Sequence, residues 1–524
     1  MTQAHLTPPS FNLWTEPWIT VERPDGSLDE LNIIQTLLEA PAIHALYEPS
    51  PLDMVAVHRL LVAILQAAYR PQRAADLAAI WRSGRFAEAA LQALAETYAH
   101  RFDLFAEDMP FMQSADLPLH SRKGIKIKPV GNLFHEEPPG TTAYFYNHKL
   151  TKFQTCCSKC LAKGLLVIPT HSTSGGRGIR PSINGEPPIY ILPAGENLFH
   201  SLAASLTTPR YQPGRPEHDL PWWERNNIVP QYLIAHRVGY LHSLTFPARR
   251  VRLYPIPMAL PCSRCGSFTN WGVKDIVFDM GESRPKDAAF WRDPFVAYSK
   301  PKGKEKDKPT PIRPIAGRAI WREFVNLFLP THPDEYGLQP LRPAVLNQLE
   351  DLQIQLPFNE DAPIPLRVIG LRSEKGQMKI YEWQESGFAL PPHLLSDIDS
   401  AKTIEESIAF ADKCNGIIKS TFQDYFGGDR LKTVKAQMSR RYWQQLGHTF
   451  HGHIQQYTAP ADAAALLHIW VQTVIDQAQT LFEETVETLP DDGATLRRRV
   501  EAINHCRAKL WSHRNKTYPQ EKPL

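Results

Sequence analysis

Cys157-Ser-Lys-Cys160 and Cys262-Ser-Arg-Cys265 are two short cysteine pairs, and between them lies a glycine-bearing loop, Ser172-Thr-Ser-Gly-Gly-Arg-Gly178. A C-x-x-C sequence sets two thiolates on one tight turn. A second such turn supplies the other half of a tetrahedral four-sulfur site of the kind zinc takes. Cys157, Cys160, Cys262 and Cys265 are therefore read as ligands of one structural zinc, a clip that folds the intervening segment into one unit. Cys156 abuts the first pair and is an alternative to Cys157. Four buried, inert thiols are the competing reading; two such pairs among seven cysteines favour the metal.

At 524 residues the chain exceeds one ordinary core, which implies roughly two to four structural units. Hydrophobic residues make up 43%, enough to bury a core and to exclude a disordered scaffold. With 58 basic and 55 acidic residues the net charge is +3, which neither demands nor excludes nucleic acid, because local patches carry that signal. The 46 prolines, concentrated before residue 400, predict a loop-rich first part. Met1-Thr-Gln-Ala-His5 has no basic start and leads into prolines, unlike a signal peptide. The longest apolar helical stretch, Leu52 to Tyr69, carries His58 and Arg59 and is short for a membrane span. The expected location is cytoplasmic, away from membranes, where reduced thiols favour a metal over a disulfide.

Phe11-Asn-Leu-Trp-Thr-Glu-Pro-Trp-Ile-Thr-Val21, the turn at Pro24-Asp-Gly26 and the return from Leu28 to Ile34 read as a strand, a tight turn and a second strand. Ser50-Pro51 opens a helix, and Leu52–Tyr69 with Ala74–Tyr98 are expected as a two-helix hairpin. Arg101-Phe-Asp-Leu-Phe105 and Pro110-Phe-Met-Gln113 are irregular and aromatic, and lead into the basic run Ser121 to Lys128, equally readable as an edge strand or a phosphate contact. The lysine-rich stretch from Ser299 to Arg313 reads as a surface loop. Arg367–Leu371 and Ile380–Trp383 read as strands of a hairpin with a polar tip, Arg372 to Met378.

Beyond about residue 390 the pattern turns helical. The stripes are Ile404, Ile408, Ala411, Cys414, Ile418, Phe422; then Leu431, Val434, Met438, Tyr442, Leu446, Phe450; then Leu467, Trp470, Val471, Val474, Ala478, Leu481; then Leu496, Val500, Ile503, Cys506, Leu510. Four amphipathic helices with short connections make an antiparallel bundle. Cys414 and Cys506 fall on its stripes and read as core.

No convergent catalytic set emerges. His448, His451 and His453 fall on different helix faces without a partnering carboxylate, and Asp424, Asp429, Asp491 and Asp492 sit at helix ends where acids cap. The sequence contains no phosphate-binding loop with its lysine, nucleophile elbow or zinc-protease helix motif. Asn147-His148 raises a His-Asn-His nuclease, but no second histidine and asparagine follow at suitable spacing. The Ser172–Gly178 glycines let backbone approach a flat or anionic partner. Tyr144-Phe-Tyr-Asn147 nearby offers stacking faces and an amide for base edges.

In order along the chain, Phe11–Val21, Phe102-Asp-Leu-Phe105, Pro110–Gln113, both cysteine pairs, the glycine loop and the terminal helices resemble the large subunit of the type I-E CRISPR surveillance complex, Cascade, also called the CasA family. The resemblance spans essentially the whole chain. It implies a non-catalytic subunit near the 5′ end of the guide RNA. That subunit recognises the protospacer-adjacent motif on duplex DNA, helps to open it, and docks the degrading helicase-nuclease. The protein then reads the short motif while base pairing reads the rest.

Carried over by position, the family's Phe-Val-Asn loop motif corresponds to Phe145, Tyr146 and Asn147, with tyrosine where the family has valine. Its glycine loop, which approaches the minor groove, corresponds to Gly175, Gly176 and Gly178, here with Arg177, a cation suited to that narrow groove. Its glutamine wedge corresponds to Gly376-Gln377 at the hairpin tip, with Lys375 sharing the role. Its lysine finger corresponds to Lys274 or Lys286. The expected class is α+β: a mixed α/β N-terminal domain, residues 1–388, with the zinc-clipped module, then the C-terminal antiparallel four-helix bundle, residues 389–524. Expected partners are other Cascade subunits, guide crRNA, target double-stranded DNA and the helicase-nuclease. The rival readings are a zinc-containing nuclease and a pure assembly scaffold.

Overall fold

The computed structural model describes residues 9–118, 127–136, 155–174, 180–214, 219–225, 238–285, 288–300, 308–335, 337–353, 362–373, 380–428, 431–490 and 492–518. The chain divides into two compact units. The first comprises Met1–Pro314, Pro343–Pro357 and Pro365–Gly387; the second comprises Ile315–Arg342, Phe358–Ile364 and Phe388–Leu524.

In the first unit β1 (Ile19–Glu22) and β2 (Leu28–Leu31) form the expected hairpin. Gly26 supplies the left-handed residue of its turn at φ 81°. β3 (Ala45–Leu46) pairs on the other side of β1. The strand is shorter than expected, because Asn12 folds Phe11–Pro17 into a turn: its Oδ1 accepts from the Trp14 amide at 3.0 Å and its Nδ2 donates to the Ala99 carbonyl at 2.8 Å. Likewise the return strand stops at Leu31, where Asn32 and Gln35 form a capping box that starts α1 (Ile33–Leu38).

α2 (Pro51–Tyr69) begins at Ser50-Pro51 as expected. By length and composition it could cross a membrane, but 89% of its apolar window is buried inside the protein, so it is a core helix. Its anticipated hairpin partner is two helices, α3 (Ala74–Ser83) and α4 (Glu88–Tyr98), because Gly84 at φ 65° ends the first in a left-handed cap.

α2 packs chiefly on α5 (Ser158–His171), which follows directly from β5 (Cys156–Cys157). With β4 (Ile127–Pro129), β7 (Arg249–Pro257) and β8 (Trp271–Met280), β5 forms one antiparallel sheet around β8. β7 and β8 are the long pair, with a register shift between Leu253 and Pro255, where proline has no amide to donate. A second sheet runs β12-β11-β6, from β6 (Ile189–Pro193), β11 (Ile364–Ser373) and β12 (Ile380–Leu390). This is the predicted hairpin backed by a fully buried strand; its tip lies outside the described residues. β9 (Tyr298–Ser299) and β10 (Thr310–Pro311) pair and draw the ends of the lysine-rich loop together.

The second unit holds four long helices, α10 (Ile398–Phe426), α11 (Lys432–Gln455), α12 (Ala463–Glu487) and α13 (Gly493–Thr517). Asp397 and Asp492 cap α10 and α13 by accepting from the amides of Ser400 and Thr495. All six residues of the Ile404–Phe422 stripe are buried, Cys414 included. Trp321 enters this core between Phe450 and Trp443, with ring centroids 4.7 and 5.7 Å away. Gly447 makes room for it, since a Cβ there would lie 3.0 Å from the indole nitrogen. The fourth stripe is rotated from its expected position. Leu496 and Val500 are more than half exposed, and the buried line runs Arg499, Ala502, Cys506, Leu510, Arg514. Arg499 turns inward because its guanidinium donates to the Pro490 carbonyl at 2.9 Å. His453 is buried and stacks on Trp470, whereas His448 is exposed, so the three histidines do not form one site.

Candidate metal centre and loop anchors

Cys156 pairs with Val273 and Cys157 with Gly272 where β5 meets β8. A Cβ at position 272 would come within 2.7 Å of the Cys156 carbonyl oxygen and 2.3 Å of Met258 Sδ, so this approach requires glycine. Cys157 is the N-cap of α5 and makes no side-chain cap bond, which leaves its sulfur free to face the same way as Cys160, three residues on. The second knuckle is closed by Gly266, at φ 75°, whose amide donates to the Cys262 carbonyl at 2.9 Å.

The four sulfurs of Cys157, Cys160, Cys262 and Cys265 lie within 4.8 Å of one another. Cys157 Sγ is 3.6 Å from Cys265 Sγ, and Cys160 Sγ is 3.8 Å from Cys262 Sγ. A tetrahedral zinc with Zn–S bonds of about 2.3 Å spaces its sulfurs about 3.8 Å apart, so the set fits that ion. Cys156 falls outside this set, and its buried thiol is pushed up by desolvation. The Cys157 amide donates to Cys262 Sγ at 3.3 Å, the sort of bond that steadies a thiolate ligand. Hydrogen bonds from Cys157 and Cys160 lower the Cys265 thiol to about 6, and bonds from Cys156, Cys157 and Cys160 lower that of Cys262. A bound zinc would supply the positive charge that lets all four ionise together.

Arg264, inside the second knuckle, ties this centre to its surroundings. Its guanidinium lies 2.8 Å from Asp53 Oδ2 on α2 and 3.2 Å from Glu136 Oε1, and sits over the Phe134 ring at 4.4 Å. Burial pushes Asp53 up to about 6, against the pull of Arg264. Burial also acts on Glu136, but Arg264 and the Ser50 hydroxyl, which donates to it, hold it below the usual range. Nearby, Lys163 Nζ is 2.6 Å from Glu48 Oε2, yet the carboxylate is so fully buried that desolvation outweighs the pairing and raises it to about 7. A cavity of about 310 Å³ lies among these groups and beside Cys160 and Cys265.

The same knuckle holds both roots of the segment that contains Phe145, Tyr146 and Asn147, residues that lie outside the described ones. At one end Glu136 meets Arg264. At the other, the Ser263 amide donates to the Thr155 carbonyl at 2.9 Å and the Thr155 amide to Ser263 Oγ at 3.3 Å.

Gly175, Gly176, Arg177 and Gly178 are also outside the described residues, but their flanks are held. Arg249, 4% exposed, donates to the Thr173 carbonyl at 2.6 Å and to the Arg180 carbonyl at 2.7 Å, stapling the two roots together. Burial draws this guanidinium down only to about 10, so it stays charged at neutral pH. Lys375, Gly376, Gln377 and Lys286 are likewise outside. Lys274 is exposed on β8, between the residues paired with β5 and those paired with β4. Beyond Arg180 opens a cavity of about 400 Å³ whose described lining includes Arg180, Arg284, Lys308, Phe290 and Trp291 and no carboxylate. Arg264, Arg249 and Arg284 were not singled out from sequence; Arg264 and Arg249 gain their roles from partners far along the chain, which no local pattern reports.

Residues 12–481 match the family described as CRISPR-associated protein Cse1. The CRISPR-associated protein CasA/Cse1 of Thermus thermophilus is 26% identical over 514 residues, covering 96% of this chain and 91% of the relative. The crystal structure of CRISPR-associated protein Cse1 from Acidimicrobium ferrooxidans superposes with a TM-score of 0.79 at 20% identity, over 98% of this chain and all of that one. A chain of a structure described as a CRISPR RNA-guided surveillance complex superposes with a TM-score of 0.74 at 19% identity, covering 96% of this chain and 100% of its own. The chain belongs to the CRISPR-associated protein Cse1 family, that of the large subunit of the type I-E CRISPR surveillance complex Cascade.

Proposed function

We propose that this chain is a non-catalytic subunit that recognises the protospacer-adjacent motif on duplex DNA, promotes strand opening and recruits the degrading helicase-nuclease. Its partners in this reading are guide crRNA, the other Cascade subunits and target double-stranded DNA, and its compartment is the cytoplasm. Phe145, Tyr146 and Asn147 act at the guide and motif. Gly175, Gly176, Arg177 and Gly178 approach the minor groove, Lys274 adds a phosphate contact, and Lys375, Gly376 and Gln377 separate the strands. Cys157, Cys160, Cys262 and Cys265 hold a structural zinc. Residues 389–524 form an antiparallel four-helix bundle.

One observation carries the reading: the four-cysteine knuckle anchors both ends of the Phe145–Asn147 segment, so a structural metal and a recognition loop share one base. The cavity beyond Arg180, with no carboxylate among its described lining residues, supports nucleic-acid contact, since cations and aromatic faces suit phosphate and base. Because the minor groove presents a degenerate pattern, several related motifs should be accepted.

The test is duplex binding by a guide-RNA complex assembled with and without this chain, across systematically varied flanking motifs. Binding that needs the chain and changes with the flank supports the reading. Binding indifferent to both leaves an assembly scaffold. Magnesium- or manganese-dependent cleavage by the purified chain, abolished by a point substitution, would replace it with the nuclease reading.

A further inference from the structure

Phe268 and Leu260 are the two most exposed large apolar side chains among the described residues, at 80% and 58%. Both stand on one ribbon, the extension of β7 and β8 that carries the second cysteine knuckle. The Met258 amide donates to the Asn270 carbonyl at 3.0 Å, and further out the Cys262 amide donates to the Ser267 carbonyl at 2.9 Å. Leu260 lies on one arm between these two rungs and Phe268 on the other, so the pair occupies one level of the ribbon. Ala259 and Pro261, on either side of Leu260, are exposed as well. Gly266 closes the turn at φ 75°, and Cys262 and Cys265 belong to the four-sulfur set, so the tip is rigidly mounted.

An apolar tip held in water marks a surface that a partner covers. A rigid mount strengthens such a contact, because little freedom is lost when the tip docks. Its chemistry selects the partner. Arg264 is the only charged residue from Pro255 to Trp271, and it is turned inward onto Asp53 and Glu136. Nucleic acid is held through cations on its phosphates, and this tip presents none. An aromatic and an aliphatic side chain without charge suit the apolar core of a protein interface. We propose that the tip formed by Leu260 and Phe268 docks in an apolar pocket on a neighbouring protein subunit of the guide-RNA complex, with Phe268 as the anchor. Ser263, on the same tip, bonds Thr155 at the root of the segment read above as acting at the guide. The neighbour's place beside the guide rests on that reading; the apolar docking does not.

The experiment titrates the labelled full chain with the guide-RNA complex of the remaining protein subunits, without target DNA. Phe268→Ser should weaken association about thirtyfold, the scale of an interface hot spot, and Leu260→Ser about fivefold. Phe268→Leu, which keeps an apolar anchor, should retain most of the affinity. The loss should be equal at low and high salt, because no charge is removed. Zinc content and denaturant unfolding of the variants should match the wild type, since both side chains are exposed. Wild-type association in Phe268→Ser overturns the proposal. Equal weakening on bare guide RNA also overturns it, making Phe268 a base-stacking residue, and so does wild-type self-association that the substitution abolishes. Flank discrimination is measured separately on complexes saturated with the chain; its absence in the wild type overturns the function proposed above and leaves the docking standing.

Discussion

Arg264 Nη2 and Asp53 Oδ2 lie 2.8 Å apart, joining the second cysteine knuckle to the first turn of the core helix α2. Both side chains are largely buried, so the pair is not a stabilising ornament: its desolvation is costly, and losing one partner strands the other. Arg264→Gln should therefore destabilise the protein by about 3 kcal/mol. Denaturant unfolding checks this, and Arg264→Met combined with Asp53→Leu should recover much of the loss. A single substitution that leaves stability unchanged would show that the pair does not anchor the knuckle.

Glu48 gives a pH-dependent signature. Its folded pKa is raised from 4.5 to about 7, so the folded state binds a proton that the unfolded state has released. The resulting stability is fully present below pH 4.5 and is lost as pH rises through about 7. The wild type minus Glu48→Gln difference in unfolding free energy should fall by up to about 3 kcal/mol across that window. A flat difference would mean that the Lys163 pairing, not burial, governs this carboxylate.

Arg284 lines the cavity beyond Arg180, which has no carboxylate among its described lining residues, and its guanidinium lies 6.0 Å from the Trp291 ring centroid. A cation used on phosphate releases a counterion when DNA binds. Arg284→Gln should weaken duplex binding across all flanks alike and reduce the salt slope by about one. Unchanged salt dependence would remove Arg284 from the interface.

Gln377→Ala should impair strand opening more than initial duplex binding, as expected of a wedge that acts after docking. Opening reported by 2-aminopurine and binding by mobility shift separate the two, and equal loss in both would count against the wedge.

The cysteine spacing made the sulfur cluster legible, because two C-x-x-C turns constrain their own local geometry, and the buried Ile404–Phe422 stripe was equally legible from its period. Capping at Ser50-Pro51 located the start of α2, but the Ser50 hydroxyl bonds Glu136 instead of capping the helix. The fourth stripe was legible at Cys506 and Leu510, which are buried, but not in its first turns, where Arg499, bonded to the Pro490 carbonyl, and Ala502 face inward in place of Leu496 and Val500. Arg264 and Arg249 were invisible for a different reason. Each joins segments 69 to 211 positions apart, beyond any window in which side-chain periodicity operates.

Paired measurements of zinc content and flank discrimination test the central claim most directly, made on complexes containing the wild-type chain or the Cys160→Ser, Cys265→Ser variant. The account predicts about one zinc per wild-type chain, its loss in the variant, and with it the loss of flank discrimination as the Phe145–Asn147 segment loses its base. A variant that lacks zinc yet discriminates flanks like the wild type would contradict it.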